Sequence, residues 1–369
     1  MKNLIRDAYG RELNSLRLLV TSECNYRCFF CHLEGDPLGE PARPGSKPPL
    51  LTPEDYSIIA EAAWKLGIRS FKITGGEPLI RRDIVSIVEA VNSSAPGSDI
   101  SMTTNGVLLE SLASNLRDAG LKRINVSLHS LRRDRYKFIT GVDGLDRVLR
   151  GLDAAINAGF RVKINALILY GVNHDEVFDL VEFSKVKGVI LQLIELIPVG
   201  LGAKLLKTHR FSLASIEEKL RELGARVEVR QLHYRPIYRL PNGAIVEIVR
   251  PYSNPIFCSG CNRLRIDSSG RLSPCINWRG ERISILEYIR RAKSREEAVL
   301  YAMKALIEAN WLRRPFYLFK RDTIMPQQTI RINGTRLLIP KKTLDLEGFE
   351  ELRAQKLVVG GLESTAHSL

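Results

Sequence analysis

The chain has 369 residues, of which 44% are hydrophobic and 26% charged, so wholesale disorder is excluded and two or more domains are expected. Its 55 lysines and arginines exceed its 41 aspartates and glutamates, a net charge of +14 that serves either solubility or an anionic partner. No apolar run reaches the roughly 18 residues of a membrane helix, and the N-terminal segment lacks a signal-peptide core, so we expect a cytoplasmic protein without membrane attachment.

Short runs rich in β-branched residues alternate with stretches of helical periodicity from Leu16 onward. The predicted strands cover 16–21, 70–74, 100–104, 123–128, 161–169 and 189–198. The predicted helices cover 53–67, 84–91, 108–119, 145–158, 176–187 and 213–223. Repeated strand–helix units form parallel sheets, so the sequence predicts an α/β fold: a partial (β/α)6 TIM-like barrel, with a doubly wound sheet as the alternative. Both architectures place their sites at the C-terminal ends of the strands.

The pattern changes after residue 225, where short strands and hairpin turns replace the strand–helix units. Strands are expected at 227–232, 238–240, 244–249, 263–267 and 271–275, and helices at 283–291 and 296–309. The tail has a predicted strand pair, 329–332 with 335–339, and a polar helix near 346–355. Residues 35–49 are predicted to form a surface loop. We therefore divide the chain into a barrel (1–225), a C-terminal α+β region (226–319) and an extension of unknown role (320–369).

All six cysteines fall into two groups of three: Cys24, Cys28 and Cys31, then Cys258, Cys261 and Cys275. Cysteines that serve as small core residues are scattered, and a disulfide framework is unusual in a long chain with large apolar segments. The grouping therefore favours metal or cluster ligation. Zinc remains an alternative for the first group, although a closed zinc site needs a fourth ligand and His32, adjacent to Cys31, is badly placed.

The first group has the spacing C-x3-C-x2-C and directly follows the first predicted strand. This motif resembles that of the radical S-adenosylmethionine (SAM) superfamily. The resemblance implies a [4Fe–4S] cluster whose fourth iron binds SAM, and reductive cleavage of SAM to a 5′-deoxyadenosyl radical. It also implies SAM contacts from Phe30, Gly76 and Glu77. Glycines 75 and 76 would let the backbone approach the ligand closely.

The second group has the spacing C-x2-C-x13-C, on a turn and a hairpin. It is compatible with a second [4Fe–4S] cluster that has an open iron, or with a structural cluster or zinc knuckle that has a remote fourth ligand. Arg263 and Arg265 alternate on the predicted strand beside Cys261, so both side chains leave the same face. Arginine forks suit a triphosphate.

Taken together, residues 5–319 resemble the GTP 3′,8-cyclases of molybdenum-cofactor biosynthesis. The resemblance rests on both cysteine groups and on further segments, among them 7–11, 16–21, 74–83, 103–106, 125–128, 171–173, 194–195, 198–200 and 261–265. It implies that the adenosyl radical removes hydrogen from ribose C3′ of GTP and that the carbon radical attacks C8. The product is 3′,8-cyclo-7,8-dihydro-GTP.

Site residues follow from the resemblance position by position. The GTP contacts it implies are Arg17, Lys72, Thr103, Lys163, Arg263, Leu264 and Arg265, with a catalytic role for Arg17, Arg263 and Arg265. Ser127 and Ile197 join the implied SAM contacts. The expected partners are a one-electron donor such as ferredoxin or flavodoxin and a downstream pterin-forming enzyme, and we also consider a homodimer.

Two departures from the family pattern stand out. Gln192 replaces an arginine that many members carry on the sixth strand, which weakens one charge contact. The family usually ends in Gly-Gly, whereas this chain continues for some fifty residues past 319, and Gly360-Gly361 is either a substitute or a chance turn.

Two other functions remain alternatives. A radical SAM enzyme could use the same scaffold on a peptide or a tRNA, although peptide modifiers usually carry more C-terminal cysteines. A non-catalytic iron–sulfur or zinc protein could bind nucleic acid. That hypothesis predicts basic residues interleaved with aromatics, and aromatics make up 7% of the chain without clustering, which argues against it.

Overall fold

A twelve-stranded sheet organises the computed structural model, which describes residues 5–35, 51–252, 254–314, 327–332 and 335–340. Its centre consists of six parallel strands in chain order: β1 (Ser15–Leu19), β2 (Ser70–Thr74), β3 (Asp99–Thr104), β4 (Arg123–Ser127), β5 (Arg161–Ile168) and β6 (Ile190–Glu195). The strand order never reverses, so the doubly wound alternative is wrong and the partial barrel is confirmed. The sheet stays open, because its two ends are different strands, β12 and β7.

Helices connect the parallel strands and cover their outer face. They are α1 (Pro53–Lys65), α2 (Ile84–Ser94), α3 (Leu109–Asp118), α4 (Arg133–Thr140), α5 (Leu145–Asn157) and α6 (Val177–Val186), followed by α7 (Leu206–His209) and α8 (Ala214–Glu222). Every strand buries alternate apolar residues in the core beneath them, such as Leu16, Phe71 and Ile124, all fully buried. The period of two therefore identifies the outward face of each strand.

The C-terminal region extends the barrel sheet at both ends. Strands β7 (Arg226–Arg230), β8 (Arg235–Arg239) and β9 (Ile245–Val249) form an antiparallel meander whose last strand runs parallel to β6. Helix α9 (Pro255–Ser259) leads to β10 (Arg263–Ile266), which runs parallel to β1, and then come β11 (Arg271–Ser273) and β12 (Ile283–Ser284). Helices α10 (Ile285–Arg290) and α11 (Arg295–Trp311) follow, and β13 (Gln327–Ile332) pairs with β14 (Thr335–Pro340).

The sequence predicts all six barrel strands and the tail strand pair, with ends that differ from the structure by at most a few residues. It misses α4, α7 and α9. Helix α4 buries only Tyr136, Ile139 and Thr140 among charged neighbours, and α9 has five residues, so neither carries an apolar period long enough to detect. The predictions for the loop at 36–49, the helix near 346–355 and Gly360-Gly361 fall outside the described residues.

Asp55 ties the barrel to the C-terminal region. Its backbone and carboxylate form a capping box with Thr52 at the start of α1, with Thr52 N donating to Asp55 Oδ2 at 2.8 Å. The same carboxylate accepts both Nη atoms of Arg290 in α10, at 2.5 and 2.8 Å. Although burial alone would raise its pKa, these donors lower the pKa of Asp55.

We predict that Asp55→Ala lowers the free energy of unfolding by about 1–2 kcal/mol, because a helix cap contributes about 1 kcal/mol and an ion pair to a half-exposed arginine adds up to about 1 kcal/mol. Since the folded pKa lies below the unfolded one, this stabilisation is present above the unfolded pKa and is lost as the pH falls through the folded value. Urea unfolding at neutral and acidic pH measures it. Thr52→Ser is the control that keeps the hydroxyl, and a difference between wild type and Asp55→Ala that does not shrink in acid would contradict the assignment.

Candidate functional site

The first cysteine group lies in the loop that leaves the C-terminal end of β1. Backbone N–H groups point at two of its sulfurs: Tyr26 N lies 3.3 Å from Cys24 Sγ, and Leu33 N lies 3.4 Å from Cys31 Sγ. Burial, together with the neighbouring thiols, raises the pKa of Cys24 to about 12 and raises that of Cys28 well above its usual value. Raised pKa values keep these thiols protonated at neutral pH unless a bound cation or cluster displaces the protons.

Gly76 holds that loop against the end of β2. Its amide donates to Thr21 O at 2.8 Å, and the next amide, of Glu77, donates to Glu23 O at 2.7 Å. A Cβ on Gly76 would lie 2.0 Å from Glu23 O, and one on Gly75 would lie 2.5 Å from Thr21 O. The two glycines are therefore needed for backbone contact with the cysteine loop, and the predicted approach of Gly76 to SAM stays a prediction.

Glu77 joins the ends of β2 and β3. Its carboxylate accepts Thr104 Oγ1 at 2.6 Å, Asn105 N at 2.6 Å and Leu79 N at 3.0 Å. Burial raises its pKa to about 7, although these three donors lower it. Both carboxylate oxygens are engaged within the protein, so a bond to a SAM ammonium would use the remaining lone pairs.

The other predicted SAM contacts lie at the same C-terminal end of the barrel. The ring of Phe30 meets His129 edge to face, with centroids 4.8 Å apart, and Ser127 ends β4. Ile197 lies in the loop after β6, and that loop contacts the cysteine loop, since Leu201 N donates to Cys31 O at 2.8 Å. The structure therefore brings the predicted SAM residues to one end of the barrel beside the first cysteine group.

The second cysteine group lies at the opposite end. Cys261 precedes β10, and β10 runs parallel to β1 with Arg263 beside Ser15, so Cys261 is at the N-terminal end of the barrel strands. Cys258, Cys261 and Cys275 line one cavity of about 280 Å³, together with Arg11, Trp278 and Arg313. Asn277 N lies 3.4 Å from Cys275 Sγ.

Two arginines, the partly exposed Arg11 and the buried Arg313, connect this second group to the chain termini. Arg11 donates to Cys258 O at 2.8 Å, and Arg313 donates to Cys261 O. Both guanidinium groups pair with Asp7, which is fully buried. Although burial alone would raise the pKa of the Cys261 thiol, Arg313, Arg263 and Arg11 lower it, so the surroundings favour the thiolate that ligates metal.

Between the two groups the barrel has a partly open polar lumen of about 110 Å³. An ordinary TIM barrel fills this space with branched apolar side chains, whereas here the inward positions are polar. The lining residues are Ser15, Arg17, Ser70, Lys72, Ser101, Thr103, Arg123, Asn125, Lys163, Asn165, Gln192, Arg230, Leu232, Arg235 and Arg263. Seven of them are cationic, so the lumen suits an anion.

Most of the predicted GTP residues meet in or beside this lumen. Arg17, Lys72, Thr103, Lys163 and Arg263 line it. Arg265 lies beside Arg17, because both donate to the carboxylate of Glu34, Arg17 Nη1 at 3.0 Å and Arg265 Nη1 at 2.6 Å. The side chain of Leu264 is fully buried in the apolar core, so a contact of Leu264 with substrate would have to come from its backbone.

Sequence reasoning missed several charged groups of the lumen. Arg123, Arg230 and Arg235 line it, and the buried carboxylate of Glu247 pairs with Lys163, with Arg230 at 3.2 Å and with Arg235 at 2.8 Å. The available signal was the alternation of polar and apolar residues along each strand, as in Ser-Phe-Lys-Ile-Thr of β2. Alternation on a parallel strand is unusual, since such strands are normally buried on both faces.

The donor sets fit two iron–sulfur clusters. Each site offers three thiols near one another and backbone N–H groups directed at sulfur, a contact that tunes such clusters. In the ranges that the structure describes, no three His, Cys, Asp or Glu side chains form a ligand group for a single metal ion.

Comparisons with known proteins agree with this arrangement. Residues 18–184 match the family model of the radical SAM superfamily, and residues 189–319 match that described as Molybdenum Cofactor Synthesis C. A protein of Aeropyrum pernix is 48% identical over 340 residues, which is 92% of this chain and 95% of the relative. The chain belongs to the GTP 3′,8-cyclase family. A relative from Sulfurisphaera tokodaii is 42% identical over 87% of this chain and 99% of its own, and both relatives carry the name "Probable GTP 3′,8-cyclase".

Solved structures show the same fold. The family member aligns with Streptococcus suis SuiB bound to S-adenosylmethionine at a TM-score of 0.56 and 18% identity, over 75% of this chain and 64% of that longer one. It aligns with anSMEcpe with bound AdoMet at a TM-score of 0.53 and 18% identity, over 81% and 78% of the two chains.

Among the described residues, no helix has the length and apolar character needed to cross a membrane.

We predict that Gly76→Ala displaces the first cysteine loop, since its Cβ would overlap Glu23 O. The variant should lose roughly half of the iron taken up on anaerobic reconstitution, because the second group is untouched. Gly159→Ala is the control: Gly159 has a φ of +76° with open space around it, so only a backbone penalty of about 1–2 kcal/mol is expected. Full iron uptake by Gly76→Ala would refute the predicted displacement.

Proposed function

We propose that this protein converts GTP to 3′,8-cyclo-7,8-dihydro-GTP with SAM and two [4Fe–4S] clusters. The observation that carries the proposal is the cation-lined lumen between two groups of three cysteines. The name of the relatives supports it, since they match this chain over nearly their whole length. The placement of the predicted GTP residues in or beside the lumen supports it independently.

Cys24, Cys28 and Cys31 would hold the cluster that binds SAM, and Cys258, Cys261 and Cys275 would hold the second cluster. When bound, the first cluster would supply the electron for SAM cleavage, and the second would supply an iron with an open coordination position for the guanine. Phe30, Gly76, Glu77, Ser127 and Ile197 would hold SAM at the C-terminal end of the strands.

The chain's own residues bind and orient the nucleotide. Four basic residues line the lumen: Arg17, Lys72, Lys163 and Arg263. The negative charges of a triphosphate would compensate these cations for the hydration that they lose on burial. Lys72 is held by Met102 O at 3.1 Å and Asn125 Oδ1 at 2.9 Å, and both are neutral. Burial and the nearby arginines lower its pKa well below the usual value, so an anionic substrate would favour its charged form.

Arg17, Arg263 and Arg265 remain the residues to which we assign a direct role at the reacting nucleotide. Arg17 and Arg265 share the Glu34 carboxylate, which fixes the two guanidinium groups side by side. Arg263 is oriented by His233 Nδ1 at 3.1 Å. An arginine that some of its N–H groups already hold in place loses little conformational entropy when its remaining N–H groups bind phosphate or a base edge.

The proposal extends to partners and organisation. It includes a one-electron donor such as ferredoxin or flavodoxin, a downstream pterin-forming enzyme, a cytoplasmic location and the option of a homodimer. It also keeps the division into a barrel (1–225), a cluster region (226–319) and a C-terminal extension (320–369). The two matched family ranges support a division of the chain into two parts, although they meet between residues 184 and 189, before the proposed boundary at residue 225.

The decisive experiment incubates reconstituted protein anaerobically with SAM, dithionite and GTP, and follows products by mass spectrometry. We expect 5′-deoxyadenosine and a cyclised GTP product, both dependent on GTP and absent with ATP, with CTP or without nucleotide. SAM cleavage that ignores GTP would reject this substrate in favour of a peptide or tRNA. No SAM cleavage, with about eight irons confirmed per chain, would reject the enzyme itself.

Cysteine variants test the assignment of two separate clusters. We predict that Cys28→Ala and Cys261→Ala each lower the iron content by about four per chain, because each disrupts one group of three ligands and leaves the other intact. Cys28→Ala should abolish SAM cleavage. Cys261→Ala should abolish the GTP product and, since SAM cleavage depends on bound GTP, 5′-deoxyadenosine formation with it, while the iron held by the first group remains. Loss of all iron from either variant would contradict independent sites.

A further inference from the structure

The lumen has an excess of positive charge that its own carboxylates do not balance. Within the described part of the chain, five of its seven cationic lining residues pair with carboxylates, and these carboxylates belong to only three residues, Glu34, Asp99 and Glu247. Burying unpaired charge is costly. The structure therefore has a built place for several negative charges.

The excess is concentrated around Glu247 of β9. This fully buried carboxylate faces three cations, Lys163, Arg230 and Arg235. Burial would raise its pKa, but these cations lower the pKa of Glu247 to about 2. It stays ionised and holds the three cations together while neutralising one charge, so a net positive cluster remains.

Arg235 is the most deeply placed member of this cluster. Its side chain is 8% exposed, and its Nε is buried without a hydrogen-bond partner among the residues described. A buried guanidinium N–H without a partner costs free energy. Arg17 Nε, across the same lumen, is in the same condition.

Gln192 positions Arg235 and adds no charge of its own. It lies beside Glu247 in the strand register, and its Oε1 accepts from Arg235 Nη1 at 3.3 Å while its Nε2 donates to Asn165 Oδ1 at 3.0 Å. The neutral amide of Gln192 leaves space for the guanidinium of Arg235, which lies on β8, and its oxygen accepts a hydrogen bond from that group. The cation at this corner of the lumen therefore comes from the C-terminal meander, not from the sixth barrel strand.

We infer that Arg235, assisted by Arg230, binds the phosphates of the substrate and makes this site selective for nucleoside triphosphates over monophosphates. The inference rests on the proposed function for the identity of the nucleotide. The ligand chemistry itself, a polyphosphate held by Arg235, Arg230 and Lys163 around Glu247, follows from the charges of the lumen.

The test is calorimetric titration of the reconstituted full chain, without SAM or reductant, using GTP, GMP and inorganic tripolyphosphate as probes. We expect Arg235→Gln to weaken GTP and tripolyphosphate binding by roughly tenfold to a hundredfold, the range of one charge-assisted hydrogen bond, and GMP binding far less. Arg230→Gln, at a half-exposed position that should tolerate substitution, is expected to show the same selectivity with a smaller loss.

Arg239→Gln is the matched control on the same strand, because Arg239 is exposed and pairs with Glu228 at 2.9 Å. It should bind all three probes as the wild type does. The inference is overturned if Arg235→Gln and Arg230→Gln, both folded by thermal melting, bind tripolyphosphate like the control, or if they lose GTP and GMP equally.

The two proposals fail separately. If the wild type binds tripolyphosphate through Arg235 but forms no cyclised product, the proposed reaction is wrong and the phosphate site stands. If the product forms and the variants bind GTP unchanged, the reaction stands and the role of Arg235 is wrong.

Discussion

Enclosed positive charge is the constraint on which the rest of the structure depends. Seven cationic side chains share a lumen of about 110 Å³, and their mutual repulsion and lost hydration must be offset by the fold that surrounds them. The offset comes from the outer face of the same strands. On the six barrel strands the inward polar residues alternate with buried apolar neighbours packed under the helices, so hydrophobic burial on one side of the sheet stabilises a charged interior on the other.

The C-terminal region completes this interior from both ends of the barrel sheet. β9 adds Glu247 beside β6, and β10 adds Arg263 beside β1. The connection to the chain termini is equally direct: Arg11 and Arg313 meet at Asp7 and reach the carbonyls of Cys258 and Cys261. The second cysteine group is therefore held by residues about 250 positions before it and about 50 after it, so its geometry depends on the whole chain.

Much of this could be predicted from the sequence, for identifiable physical reasons. The six strands follow from β-branched runs and α1 from its Thr52 cap, and the cysteine spacing, which few other functions require, predicts two cluster sites. The charged lumen was only partly predicted. Family resemblance predicted Arg17 and Lys163. Arg235 and Glu247 pair because the meander of β7, β8 and β9 joins the barrel sheet, and local sequence does not determine the register between distant strands. Glu34 was missed because its two partners lie 17 and 231 residues away.

The placement of the two cysteine groups at opposite ends of the strands also sets a length. Strand β1 has five residues, and at roughly 3.3 Å per residue it separates the two ends by about 17 Å. Anything that reacts at both ends has to span that distance. The barrel thus selects a ligand by length as well as by charge. A ligand with the right charge that is shorter than this distance would bind at one end and would not contact the other.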